Sequence, residues 1–214
     1  MTPLSPREVA VVRQVAGIVL QYPDEVLQRD LPVLRHAVGG VRSEVGTPLL
    51  GLLDHLTRTP DAVLTTDYVA TFDLSRRHAL HLTYFTHGDT RKRGLALLRI
   101  KQTYRRFGYV LDDSGDDAEL PDHLSVVLEF AATVDADAGT RLLQEHRAGL
   151  ELLGLALTDA GSPYAAAVAA VSATLPPLHG SMRDAVARLA AEGPPGEEVG
   201  LDPFVPPEVS GARR

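Results

Sequence analysis

Apolar residues recur along most of this chain at intervals of three and four positions, which is the repeat of one face of an α-helix. The first stretch shows the pattern most clearly. Ser5 and Glu8 form a capping-box pattern around Pro6, and apolar residues follow as far as Val19. We therefore predict a helix over residues 6–20. No stretch shows the strand-and-turn pattern of a hairpin, which indicates an all-α fold.

The same repeat, together with the start and stop signals of helices, predicts eight more helices. They cover about residues 24–38, 45–56, 59–72, 89–107, 121–134, 138–157, 162–175 and 181–191. About nine helices joined by short connections predict a single globular helical domain over residues 1–192. Residues 193–214 are rich in proline, glycine and glutamate, so we expect a flexible, mostly disordered tail there.

Composition and charge narrow the classes of function. A chain of 214 residues can bury a core without a disulfide or metal. Its lack of cysteine excludes thiol catalysis and cysteine-bound zinc or iron–sulfur clusters within it. We expect a cytoplasmic protein that does not span a membrane, because neither a secretory signal pattern nor a long uninterrupted apolar segment occurs. The net charge of −7 disfavours general nucleic-acid binding and favours a basic partner.

Motifs of the common enzyme mechanisms are missing from the sequence, including the phosphate-binding loop, the nucleophile elbow and the zinc-protease helix motif. We therefore expect a non-catalytic protein that binds another polypeptide. A metal-dependent hydrolase stays open as an alternative, because His78 and His81 have the helical spacing of a metal-binding pair. Either His87 or Asp89 would be the third ligand. The competing interpretation makes His78 and His81 partly buried histidines of an aromatic segment.

The helix predicted at residues 89–107 is strongly basic. Its cationic residues are Arg91, Lys92, Arg93, Arg99, Lys101, Arg105 and Arg106. A nucleic-acid-binding regulator that uses this helix is therefore a second alternative. A solvated helix face explains the same charges, since Arg105 and Arg106 are favourable near the negative end of the helix dipole.

Two polar segments flank this basic helix. His87 and Asp89 lie on either side of Gly88, so they could form an acid–base pair, or the glycine could shape a turn and Asp89 cap the helix. Residues 119–124, with the sequence ELPDHL, combine a proline helix start with two carboxylates and a histidine. They could form a charged rim that receives a basic peptide, although acids are also favourable at a helix N-terminus for structural reasons.

Three segments in the middle third of the chain carry a family resemblance. They are residues 68–73 (YVATFD), 82–94 (LTYFTHGDTRKRG) and 119–124 (ELPDHL), the last followed by Glu129 and Phe130. Together they resemble the NarJ-type nitrate reductase assembly chaperones over about residues 67–132. The HGDTRKRG string and its spacing to ELPDHL are the most specific features.

The resemblance implies the all-α fold of the wider redox-enzyme maturation family, which includes the chaperones of trimethylamine oxide and dimethyl sulfoxide reductases. It implies a role in nitrate assimilation and no reaction of its own. The implied partner is the catalytic (alpha) subunit of nitrate reductase, bound through its N-terminal peptide. Such a chaperone would assist insertion of molybdopterin cofactor and iron–sulfur cluster before membrane docking. It would hold no cofactor stably itself.

The implied peptide site is a groove with apolar walls and an acidic rim. The candidates for the walls are Tyr68, Phe72, Leu82, Tyr84 and Phe85, and those for the rim are Glu119, Asp122 and His123. In the family, the glutamate–proline–aspartate–histidine segment is linked to peptide binding, and Pro121 completes that match here. His87, Asp89 and Arg91 of the second segment are the remaining predicted site residues.

Overall fold

Eleven α-helices make up most of the chain that the computed structural model describes, which is residues 3–88, 90–111 and 119–192. They are α1 Pro6–Val19, α2 Glu25–Val38, α3 Ser43–Arg58, α4 Asp61–Tyr68, α5 Tyr84–His87, α6 Arg91–Arg106, α7 Leu124–Thr133, α8 Ala136–Glu145, α9 Arg147–Asp159, α10 Ala165–Ala173 and α11 Gly180–Glu192. A π-helical turn, Val69–Asp73, continues α4, and a 3₁₀ turn follows at Arg76–His78. The all-α prediction is confirmed, and the described ranges contain no strand longer than an isolated bridge.

The predicted tail, residues 193–214, lies outside the described residues and stays a prediction. Across the three described ranges, no helix is both long enough and apolar enough to cross a lipid bilayer.

The first helix begins where the capping box predicts. The Ser5 hydroxyl accepts a hydrogen bond from the backbone N–H of Glu8 at 3.3 Å, and the Glu8 carboxylate accepts one from the backbone N–H of Ser5 at 2.8 Å. These two bonds satisfy donors that a helix start leaves unpaired. Behind the cap, Val12, Val15 and Val19 are buried, so the apolar face of α1 lies in the core.

The central helix of the core is α7, whose side chains are apolar almost throughout. Phe130 is completely buried, as are Leu124 and Leu128. Its most extensive contact is with α1, where Gly17 faces Leu128, and α8 packs on it through Gly139, which faces Ala131. Because glycine has no side chain, the helix axes approach closely at both crossings, and the core there is densely packed.

A buried arginine joins three of these helices. Arg13 of α1 donates hydrogen bonds to the hydroxyls of Thr174 at 3.2 Å and Thr140 at 2.8 Å, and to the carbonyl of Ala136 at 3.3 Å. These partners belong to α8 and to the end of α10. A buried guanidinium needs such acceptors because an unpaired buried charge is costly. Arg13 therefore fixes the positions of α8 and α10 against α1.

The prediction of one helix over residues 138–157 is wrong, since the chain bends at His146 and forms α8 and α9. His146 has φ −105° and ψ 17°, outside helical geometry. The bend allows Gly149 of α9 to pack directly on Phe85, where a Cβ on the glycine would lie 2.9 Å from the phenylalanine Cβ. This bend and the short helix α5 explain why eleven helices occur instead of about nine.

The predicted start of a helix at Pro121 is also wrong, because α7 begins at Leu124. The backbone of Asp122 is committed to another loop: its carbonyl accepts a hydrogen bond from the N–H of Leu82 at 3.0 Å. Pairing with a distant segment thus overrides the local signal of the proline.

The α7–α8 crossing provides a test of this packing. We expect Gly139→Ala to lower the free energy of unfolding by about 1–3 kcal/mol, since overpacking a helix contact has that cost. A Cβ at this position would lie 2.2 Å from the Ala131 Cβ, so the α8 backbone must move. Urea unfolding followed by circular dichroism measures the change.

Gly51→Ala is the matched control. Gly51 lies inside α3, and a Cβ added there would meet no other heavy atom within 4 Å, so alanine should stabilise that helix by up to about 1 kcal/mol. Stabilisation of both variants to the same extent would contradict the tight α7–α8 crossing.

Candidate functional site

Two loops far apart in the sequence lie side by side at the centre of the site. The N–H of Leu82 donates to the carbonyl of Asp122 at 3.0 Å, and the N–H of Leu124 donates to the carbonyl of Leu80 at 2.8 Å. This antiparallel bridge pairs His81 with His123, whose ring centres are 5.3 Å apart. It joins the loop before α5 to the ELPDHL segment, so two of the three segments noted in the sequence form one structural unit.

The Asp122 carboxylate is completely buried beneath this bridge and is surrounded by donors and positive charge. It accepts hydrogen bonds from the backbone N–H of Thr83, at 3.1 Å, and from the Thr83 hydroxyl. Nδ1 of His81 lies 3.4 Å from one carboxylate oxygen and Nη2 of Arg93 3.7 Å from the other. Burial by itself raises the pKa of Asp122, but the close approach of His81, the hydrogen bonds from Thr83 and the charge of Arg93 outweigh it and lower the pKa to about 2.

His123 has a structural role at the start of α7. Its Nδ1 accepts a hydrogen bond from the backbone N–H of Ser125 at 3.3 Å, which caps the helix. Burial and the neighbouring His81 lower the pKa of His123 to about 4, against a smaller opposing effect of Asp122. The imidazole is therefore neutral at pH 7, as an acceptor in this position must be.

An open cavity of about 500 Å³ lies in front of the bridge. Its lining comes from the α1–α2 turn, the π-helical turn, the bridge and the start of α7: Gln21, Tyr22, Tyr68, Phe72, Asp73, Leu80, His81, Glu119, His123, Ser125 and Val126. The ring centres of Tyr22 and Tyr68 are 5.5 Å apart and those of Tyr68 and Phe72 are 4.8 Å apart. Tyr68 is fixed by a hydrogen bond from its hydroxyl to the carbonyl of Leu20 at 2.9 Å.

The mouth of the cavity combines carboxylates with exposed apolar side chains. Asp73 and Glu119 are exposed there, and the chain next to each carries an exposed leucine, Leu74 and Leu120. Tyr22 is 53% exposed although its ring packs edge-to-face against Tyr68. This mixture of aromatic floor and acidic mouth suits a ligand that is apolar and basic.

The comparison with known families decides what kind of protein has this site. Residues 39–170 match the model of the family described as nitrate reductase delta subunit. The chain belongs to this family. The NarJ-type resemblance of the three sequence segments is thereby confirmed, and both loops of the bridge lie within the matched residues.

Several known proteins are similar to the chain. It is 43% identical over 164 residues to the nitrate reductase-like protein NarX of Mycobacterium tuberculosis, an alignment that covers 77% of this chain and 24% of NarX. It is 30% identical over 148 residues to a Bacillus subtilis protein named as nitrate reductase molybdenum cofactor assembly chaperone NarJ, covering 69% of this chain and 78% of the relative. The chain thus spans about a quarter of the length of the mycobacterial relative it matches.

A solved structure has the same fold. The crystal structure of a redox enzyme maturation protein from Archaeoglobus fulgidus superposes with a TM-score of 0.56 and 23% sequence identity. The match covers 76% of this chain and 91% of that one. This similarity agrees with the all-α fold that the sequence predicts.

Four of the predicted site residues line the cavity. They are Tyr68, Phe72, Glu119 and His123. The predicted position of Asp122 on the rim is wrong, because its carboxylate is completely buried below the bridge. The prediction of an exposed Asp122 depends on a helix that starts at Pro121, whereas α7 begins at Leu124. The bridge to His81 turns the Asp122 side chain inward instead.

The other predicted residues lie away from the cavity. Phe85 packs on Gly149 of α9 and is buried together with Leu82, while Tyr84 is half-buried beside Phe85. His87 and Arg91 lie at the end of α5 and the start of α6, and neither is among the lining residues. Asp89 lies outside the described residues.

Helix α6 supports the site from behind. Nε of Arg93 donates to the Thr83 hydroxyl at 3.2 Å, and the Tyr104 hydroxyl donates to the carbonyl of Pro121 at 2.8 Å. Tyr104 and Arg93 therefore hold the two bridged loops from the same helix. Pro121 contributes to the site through its backbone position and not through contact with the cavity.

The histidines predicted as a metal-binding pair do not face a common point. The two ring nitrogens of His78 face backbone carbonyls, Nδ1 at 2.9 Å from Thr71 and Nε2 at 3.3 Å from Ala156, while His81 points to Asp122. Among the residues that the structure describes, no group of three or more His, Asp or Glu side chains is arranged to hold a metal ion.

The cavity also contains residues that were not predicted for the site. Gln21, Tyr22 and Asp73 are the exposed ones, and His81 is predicted as a metal ligand or as a partly buried histidine, not as a residue of the peptide site. Tyr22 belongs to the turn between α1 and α2. An aromatic residue in a polar turn of a chain with only 5% aromatics was the available signal for Tyr22.

The buried Asp122 carboxylate predicts a pH-dependent stability. We expect Asp122→Asn to lower the free energy of unfolding by about 2 kcal/mol at pH 7, which corresponds to the lowered pKa of the carboxyl. A carboxyl with a lowered pKa stabilises the fold above its unfolded-state pKa of about 4, and this contribution is lost as pH falls towards 2. The difference between wild type and variant should therefore vanish across that interval in urea unfolding experiments.

Asp73→Asn is the control, because this carboxylate is exposed and its removal should change stability by less than about 0.5 kcal/mol. A difference between wild type and Asp122→Asn that stays constant from pH 7 to pH 2 would contradict the role assigned to the charge.

Proposed function

We propose that this protein is an assembly chaperone of nitrate reductase that binds the N-terminal segment of the catalytic (alpha) subunit in the cavity beside the His81–His123 bridge. The observation that carries the proposal is the cavity itself, an aromatic floor with carboxylates at its mouth, built from the family's sequence segments. The names of the NarJ relatives from Bacillus subtilis and Escherichia coli support the role in molybdenum cofactor assembly.

The dimensions of the cavity suit a peptide. A volume of about 500 Å³ is in the range of small-ligand pockets, so it accepts a few side chains and leaves the rest of the segment on the surface. Apolar side chains of the segment would contact Tyr22, Tyr68 and Phe72. Basic side chains would lie near Asp73 and Glu119, where exposed carboxylates contribute mainly to orientation and to the rate of association.

Such binding explains how a chain without cysteine takes part in building a metalloenzyme. The ligands of the iron–sulfur cluster and the molybdopterin cofactor belong to the partner, and the chaperone keeps the partner open until they are inserted. Occupation of its N-terminal segment would also delay membrane docking of the unfinished enzyme. In this function the protein acts in the cytoplasm, holds no cofactor stably and catalyses no reaction.

Calorimetry with the N-terminal peptide of the nitrate reductase catalytic subunit from the same genome tests the proposal. We expect the wild type to bind with a dissociation constant of tens of micromolar or below, about −6 kcal/mol. Tyr22→Ser should weaken binding about tenfold, because an exposed aromatic anchor is lost. The double variant Asp73→Asn/Glu119→Gln should weaken it several-fold and reduce its salt dependence.

Asp159→Asn is the matched control, since it removes an exposed carboxylate at the end of α9, outside the cavity lining. Absence of binding by the wild type would refute the proposal. Binding that is equally weakened by Asp159→Asn would show attraction to net charge rather than to this cavity.

A further inference from the structure

The outward face of α6 carries a row of side chains that the fold does not use. Ala96, Ile100 and Tyr104 bury the inner face of the helix in the core. The outer row consists of Arg91, Leu95, Leu98, Gln102 and Arg105, all of which are exposed. Leu95 is 62% exposed and Leu98 47%. Their intervals of four, three, four and three residues keep them in one line along the helix, which is the spacing of a helix–helix contact seam.

A second line of exposed residues, all basic, runs beside this row. Lys92, Arg99 and Arg106 are seven residues apart and lie on one side of the two leucines. Within the described ranges none of the three forms an ion pair, although the chain as a whole has a net charge of −7. In coiled-coil contacts, charges at such flanking positions select a partner of opposite charge.

We propose that this outer row of α6 binds an acidic amphipathic helix of a partner polypeptide. Apolar side chains of that helix would cover Leu95 and Leu98, and its carboxylates would face Lys92, Arg99 and Arg106. Two leucines bury little area, so the contact is weak and reversible, and complementary charge gives it selectivity. The contact does not depend on the cavity beside the His81–His123 bridge and is a second, separate binding surface.

Charge and shape favour this occupant over a second copy of the chain, a nucleic acid, a lipid surface and residues 112–118. A second copy of the chain would place the same basic row against itself, which is repulsive. A nucleic acid would place its phosphates against the two leucines at the centre of the row. A lipid surface would gain only two buried leucines, well below the apolar face of a membrane-surface helix. Residues 112–118 of this chain contain no apolar side chain larger than alanine to cover the leucines.

The test uses the full chain and a designed peptide of three heptads, with leucine at both seam positions and glutamate at both flanking positions. Fluorescence anisotropy at about 0.15 M salt, where surface charges are partly screened, measures its binding. We expect it to bind at least tenfold tighter than a peptide of the same composition in which the leucines do not share a face. The Leu95→Gln/Leu98→Gln variant should lose that preference, while Leu155→Gln, at an exposed leucine of α9, should keep it.

A charge reversal makes the test independent of folding defects. Arg99→Glu/Arg106→Glu should lose binding to the glutamate peptide and gain binding to the same peptide with lysine at the flanking positions. Circular dichroism should show unchanged helix content for these surface variants. Binding of the nitrate reductase N-terminal peptide at the cavity should also be unchanged, which separates this inference from the proposed function.

Three results would overturn the inference. The first is equal binding of the seam and scrambled peptides. The second is binding of the wild type to phosphatidylglycerol vesicles or to a DNA duplex that is tighter than to the seam peptide and is lost in Arg99→Glu/Arg106→Glu. The third is self-association of the wild type, seen by sedimentation, that disappears in Leu95→Gln/Leu98→Gln.

Discussion

The hydrogen bonds from Thr83 to the buried carboxylate of Asp122 hold together two loops that lie 39 residues apart in the chain. A carboxylate without access to water is costly unless donors surround it, so the loop of Thr83 must stay where its N–H and hydroxyl reach Asp122. Arg93 and His81 complete the surroundings of the charge. The His81–His123 bridge, the cap of α7 and the back wall of the cavity all follow from this placement.

Helix α6 connects the two surfaces to which we assign binding. Its inner side holds the bridged loops through Arg93 and Tyr104, and its outer side presents Leu95 and Leu98 between basic residues. One helix therefore builds the cavity from behind and leaves a separate face for a second partner.

The described helices show which parts of the fold local signals can predict. The capping box at Ser5 and the position of α1 depend on residues within one or two turns of each other, and the start and end of that helix agree with the prediction. The bend at His146 has no glycine or proline to announce it. It is explained by the contact between Gly149 and Phe85, whose partners are more than sixty residues apart. Arg13 gave no sign of being buried, since its acceptors come from α8 and α10.

By itself, the sequence determined the all-α class, most helix positions and, through residues 82–94 and 119–124, the family and the neighbourhood of the site. Only the tertiary structure decided which of those residues face the cavity. Tyr68, Phe72, Glu119 and His123 do, whereas Asp122 and Phe85 point into the core. The physical reason is that a helical repeat specifies which residues share a face, but a loop side chain is oriented by its partners. For Asp122 those partners are Thr83, His81 and Arg93, which come from a different part of the chain.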